Sequence, residues 1–237
     1  MNPSWREKLQ KLAEGNHQFA KFASRTINSK QKIIGVRMPD LHDLAKNLSR
    51  QMAFADVSDF AKSINHNVHE EVLLLGLIIN YAKLSDTERI KPTEQYLKLV
   101  DNWAQIDSVA TMRRKINQPM WWDFSTKCLK SPAGFTVRFG IVFLMTHFIA
   151  DPSIDKTFQA LGKVTHDDYY VKMALAWFYA TAAVKYFEKT LRELERPTLP
   201  SWTHNKALQK ILESRRFSKT QKQQIRTLKK CQPLKIY

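Results

Sequence analysis

Glycine is scarce, with 6 in 237 residues, and neither Asn-Gly nor Asp-Gly occurs. Sheets joined by tight hairpins need positive-φ turn positions, so the sequence argues against an all-β design. Cysteine is scarcer still. Cys128 and Cys231 lie far apart with no metal-ligand spacing around them, which predicts reduced thiols rather than a disulfide framework or a zinc site. No apolar run is long enough to span a bilayer. The longest, Val137 to Ala150, carries Arg138 and His147. The opening MNPSWREKLQ has no apolar stretch of the secretory kind, so a cytoplasmic protein is expected, nucleoid-associated in a bacterium. Walker A, GxGxxG, HExxH, paired CxxC and GxSxG patterns are all missing, which leaves nucleotide hydrolysis and metal-dependent nuclease chemistry without support. Acidic residues are in deficit: 22 Asp and Glu face 38 Lys and Arg, for a net charge of +16. Such an excess calls for an anionic partner, and without a membrane segment nucleic acid is the expected one.

What the sequence does contain is helical periodicity. Leu41, Leu44, Ala45 and Leu48 form an i, i+3, i+4, i+7 stripe behind Pro39 and Asp40, residues that start helices. Glu70 to Ala82 is apolar on nearly every side, so it predicts a buried inner helix. Further helices are predicted over Pro92–Val100, Trp103–Met112, Trp121–Leu129, Val137–Ile149, Ile154–Leu161 and Tyr169–Glu188, with a last pair from Trp202 and Ser218. Residues 1–34 are expected as an N-terminal helical segment, and about 230–237 as a basic tail.

The inner helices repeat. Arg138, Lys172 and Lys206 are 34 residues apart, each followed by an apolar run: RFGIVFL, KMALAWF, KALQKIL. A two-helix period in the thirties is the mark of an α-solenoid of the HEAT or armadillo kind. The fold expected is therefore all-α, one domain over residues 1–237, with helical hairpins stacked around a concave basic face. Equivalent positions on stacked helices line one face, so the three cations would form a ladder for DNA phosphates. The plainer alternative is three helix-end residues with their charges in solvent.

Charge is concentrated at the end of the chain. From Ser201 to Tyr237 ten Lys and Arg, among them Lys206, Lys210, Arg215 and Arg216, face only Glu213. The other unusual stretch is DNWAQIDS, residues 101–108, where Trp103 and Asp107 fall on the same face of a helix. A carboxylate beside an indole is an uncommon core pair, because Asp inside a helix competes for backbone bonds. It reads either as a site or as a buried Asp tying neighbouring helices with Trp103 as core. Tyr169, Tyr170 and Trp177 form a second aromatic group.

The segments GVRMPDLHDLAK, EEVLLLGLIINYAK, VDNWAQIDS, VRFGIVFLM, DYYVKMALAW and WTHNKALQKILESRR resemble, in order from Gly35 to Arg216, the AlkD-type DNA alkylation-repair family. The resemblance implies a HEAT-like solenoid with duplex DNA in its concave face. It implies excision of cationic alkylpurines, such as 3-methyladenine and 7-methylguanine, without metal or cofactor. By motif, Asp107 matches the carboxylate that stabilises the oxocarbenium sugar and positions water. Trp103 and Trp177 match indoles that contact the damaged nucleotide, Arg138 a phosphate-binding arginine, and Tyr169 and Tyr170 aromatics near the lesion.

Three readings follow. The first is a monomeric glycosylase for alkylated duplex DNA. The second is a non-catalytic DNA-binding solenoid for distorted or branched DNA, since phosphate neutralisation needs no carboxylate. The third is a protein-interaction scaffold, which the basic C-terminal segment disfavours.

Overall fold

The computed structural model describes residues 4–112, 114–196 and 199–229, and among these it contains fourteen helices and no strand. The tail expected over about 230–237 lies outside the described residues. Two compact units divide the chain, residues 1–121 and 122–237.

The first unit holds α1 (Trp5–Ala13), α2 (His17–Ile27), α3 (Met38–Ser49), α4 (Phe54–Ser63), α5 (His69–Tyr81), α6 (Asp86–Leu97) and α7 (Trp103–Ala110). Its core is α5, buried without interruption from His69 to Ile79 and packed against α3, α4, α6 and α7. An apolar surface all the way round lets one helix take neighbours on every side. Gly76 makes this possible, since a Cβ there would stand 2.6 Å from the Tyr96 ring of α6 and from Val109 of α7. Where α5 ends, buried Arg89 of α6 donates to the carbonyls of Ile79, Ala82 and Leu84. These are acceptors that a helix end leaves without intrahelical partners.

Helix α8 (Gln118–Cys128) crosses the boundary between the units. The second unit continues with α9 (Gly134–Phe148), α10 (Ile154–Leu161), α11 (Tyr169–Lys185), α12 (Phe187–Glu195), α13 (Ser201–Glu213) and α14 (Lys219–Thr227). Helices α9, α11 and α13 stack in that order, with α10, α12 and α14 returning against them. The 34-residue period is thus a stack of helical hairpins, the α-solenoid arrangement within this unit.

Three elements differ from the sequence expectation. Helix α6 begins six residues before Pro92, because Ser85 and Glu88 form a reciprocal capping box ahead of it. Pro92 then lies inside the helix and is buried. The helix expected over Tyr169–Glu188 breaks at Tyr186, whose backbone leaves the helical region at φ −126°, and α12 follows. Helix α4 had no counterpart. It is started by Asp56, whose carboxylate accepts from the Ala53 amide at 2.8 Å.

Among the described residues no helix is long and apolar enough to cross a membrane. Nor does any group of three or more His, Cys, Asp and Glu stand together there as a metal-binding set.

Candidate nucleic-acid interface

In the first unit the site is set by the residues before α7. Asn102 caps the helix, its Oδ1 accepting from the Gln105 amide at 3.1 Å, while Gln105 Oε1 accepts from the Asp101 amide at 3.1 Å. Asn102 Nδ2 donates to His69 Nδ1 at 3.1 Å, and Gln105 Nε2 donates to the His69 carbonyl and to Gln31 Oε1. Burial lowers the His69 pKa, against the smaller opposing pull of Glu70 and Asp101. The ring is therefore neutral near pH 7, with Nδ1 kept as an acceptor. Asp101 accepts from Ser29 Oγ and from the amides of Lys30 and Gln31, and Glu70 accepts from the amides of Ile34 and Gly35. Two carboxylates at the feet of α5 and α7 thus hold the loop before α3.

With Gln105, Ile106, Val109 and Ala110 buried, α7 leaves one stripe within reach of solvent: Trp103, Ala104, Asp107 and Ser108. Trp103 and Asp107 therefore share a half-buried face, four residues apart. The Asp107 carbonyl accepts from Thr111 Oγ1 at 2.6 Å, which closes the last turn of the helix.

In the second unit, α11 is buried on most sides and shows solvent a single stripe running through Tyr169, Tyr170, Met173, Trp177 and Val184. Its first turn is fixed twice. Asp168 caps it by accepting from the amides of Tyr170 and Val171. Arg138 of α9 donates from Nη1 to the Tyr170 carbonyl at 2.7 Å. Gly134 lets α9 come this close, because a Cβ there would lie 2.9 Å from the Asp168 carboxyl.

The three residues of the expected cation ladder have unlike surroundings. Arg138 is 5% exposed. Lys172 is half-buried, its ammonium 5.9 Å from the centre of the Trp202 ring. Lys206 is half-buried and donates to Gln209 at 2.9 Å. Lys210 is half-buried, and Arg215 and Arg216 are exposed in the turn after α13.

Tyr169, 53% exposed, belongs to a row of rings that the sequence reading recognised only in part. Phe135 meets Tyr170 at 5.4 Å between ring centres, Tyr170 meets Tyr169 at 5.3 Å, and Tyr169 meets Trp202 at 5.6 Å. Phe135 and Trp202 went unnoticed. The repeat itself identifies Phe135, which lies 34 residues before Tyr169, whereas Trp202 falls at the repeat position of Asp168 and the spacing gives no such signal for it.

No curated protein matches the chain. The family model described as DNA alkylation repair enzyme does, over residues 6–211. Spanning most of the chain, that match shows that the protein belongs to the DNA alkylation repair enzyme family.

Proposed function

We propose that this protein is a DNA glycosylase that removes cationic N3- and N7-alkylated purines from duplex DNA. The observation that carries the reading is Trp103 and Asp107 on the solvent-reaching stripe of α7, in a chain of the DNA alkylation repair family. The bond broken is the one between C1′ of the sugar and the purine nitrogen. Its electron pair goes to the base, which leaves neutral because alkylation had already made it a cation. Protonation by a general acid is therefore not required. Positive charge develops on the sugar, water adds to C1′, and its proton passes to solvent.

Asp107 supplies the anion that stabilises this developing charge and orients the water. The indole of Trp103 on the same stripe lies against the cationic nucleotide, an attraction of about 0.5–2 kcal/mol. Lys172, Lys206, Lys210, Arg215 and Arg216 pair with phosphates, and Tyr169, Tyr170 and Trp177 offer their rings to the DNA beside them. Arg138 acts through the first turn of α11, which its bond to the Tyr170 carbonyl holds in place. The step needs no metal or cofactor, and a monomer suffices.

A second reading has an observation of its own. The ring row around the exposed Tyr169 and the basic turn after α13 offer stacking and phosphate contacts that work without a carboxylate, as in a non-catalytic binder of distorted or branched DNA. Incubation with methylated duplex DNA separates the two. Free 3-methyladenine and 7-methylguanine appear if the protein is a glycosylase. Salt-dependent binding with no released base establishes the second reading instead.

A further inference from the structure

Of one further feature of the second unit the duplex reading uses only Lys206. A groove of about 970 Å³ lies between α13 and α14. Trp202, Leu212 and Ile225 give it an apolar wall, and Lys206, Arg226 and Lys229 surround that wall with positive charge. Among the described residues Glu213 is the one acid on its lining, and its carboxylate accepts from Gln209 at 2.6 Å. Trp202 belongs to two structures at once, since its indole also ends the ring row through Tyr169 and lies under the Lys172 ammonium. A row of rings, half-buried except for the exposed Tyr169, therefore runs directly into a cationic groove.

Each part of this surface selects against other occupants. A base-paired duplex keeps its base faces stacked inside and offers an apolar wall nothing to bind. A neutral apolar ligand has no use for three cations. A strand with unpaired bases offers both π-faces and phosphates, the combination that indoles and Lys/Arg rims recognise without regard to sequence.

We propose that the groove between α13 and α14 binds single-stranded DNA, with unpaired bases stacked on Trp202 and phosphates paired with Lys206, Arg226 and Lys229. The inference rests on the reading of the protein as a DNA-binding one and adds a second kind of DNA to it. The surface would hold an unpaired stretch next to a duplex, as at a gap, a flap or a melted end.

The test uses the full chain and two labelled probes, oligo-dT and a duplex of equal length, followed by fluorescence anisotropy at one salt concentration. Trp202→Leu keeps apolar bulk but removes the π-face, and is expected to weaken oligo-dT binding about tenfold. Duplex affinity should move by less than about twofold, because duplex bases offer no face to stack. The double change of Arg226→Ala with Lys229→Ala should lower oligo-dT affinity and flatten its salt dependence by about 1 to 2 in log–log slope. Oligo-dT should quench the protein's tryptophan fluorescence, and the quench should shrink in Trp202→Leu. Equal losses on both probes, or an oligo-dT affinity indifferent to both variants, would overturn the proposal while leaving duplex binding and excision standing. So would a poly-aspartate peptide that binds in a Trp202-dependent way where oligo-dT does not. Binding of neither DNA would remove the DNA reading and this inference together.

Discussion

The two units spend their charged residues differently. The first carries 18 Lys and Arg against 13 Asp and Glu, the second 20 against 9. In the first unit the acids are structural: Asp101 and Glu70 clamp the loop before α3, and Glu71 pairs with Arg6 at 2.9 Å. Buried carboxylates need such partners, because an unmatched charge in a dry interior costs several kcal/mol. In the second unit the helices are joined by rings instead, such as Phe158 with Phe178 and Tyr179, and most of its cations, buried Arg138 aside, are left to the surface. A unit held by aromatic packing can carry excess positive charge without disturbing its own core. On this account the first unit fixes a catalytic carboxylate, and the second attracts the polyanion.

That contrast is open to attack from both sides. Replacing Lys206, Lys210, Arg215 and Arg216 together with Ala should have the largest effect. Duplex affinity at low salt should fall by more than about a hundredfold, and the salt slope should flatten by about 3 to 4. The same replacement at the exposed Lys62, Lys83, Lys91 and Lys98 of the first unit should cost less than about threefold. Equal losses from the two sets would erase the division of labour.

Next in size is Asp101→Ala, which removes the acceptor of Ser29 Oγ and of the Lys30 amide and leaves the Gln31 amide only Ser29 Oγ. Urea unfolding should show a loss of about 2–3 kcal/mol. A loss below about 0.5 kcal/mol would mean that the loop is held by something else. Gly76→Ala should cost about 1–3 kcal/mol by forcing a methyl into the Tyr96 ring and Val109.

The smallest expected effect concerns pH. His69 and His42 both have lowered pKa values, burial being the main cause in each case. The unfolded chain then takes up protons that the fold refuses, so stability is complete above the ordinary histidine value near 6.5 and is lost as pH falls below it. Thermal melts at pH 7.5 and 5.5 should differ by a few degrees. His69→Asn, which keeps an acceptor but cannot titrate, should narrow the gap. An unchanged gap would show that His69 is not one of the groups responsible.

Much of the architecture is readable from the chain. Ile154–Leu161 is predicted and observed with the same ends, since Pro152 and an amphipathic stripe mark it clearly. The 34-residue spacing gives the stack of α9, α11 and α13. What escapes is whatever depends on a partner distant in sequence. Pro92 reads as a helix start because its ring suits a first turn, yet the capping box at Ser85 takes precedence. Arg138 reads as a rung of a phosphate ladder, and its bond to a carbonyl 32 residues away is not visible in the spacing. Trp103 and Asp107 are predicted to share a face from spacing alone, and they do. The network of Asn102, Gln105 and His69 that fixes their helix is not legible, because it joins the start of α7 to His69 of α5, more than thirty residues earlier.

The most direct measurement is single-turnover release of 7-methylguanine from methylated duplex DNA, comparing wild type with Asp107→Asn at protein concentrations that saturate binding. The account predicts release by the wild type, a rate at least about a hundredfold lower in the variant, and unchanged affinity for the DNA. Equal rates in the two proteins would contradict the role given to Asp107. An absence of release from either, with binding intact, would contradict the glycosylase assignment itself.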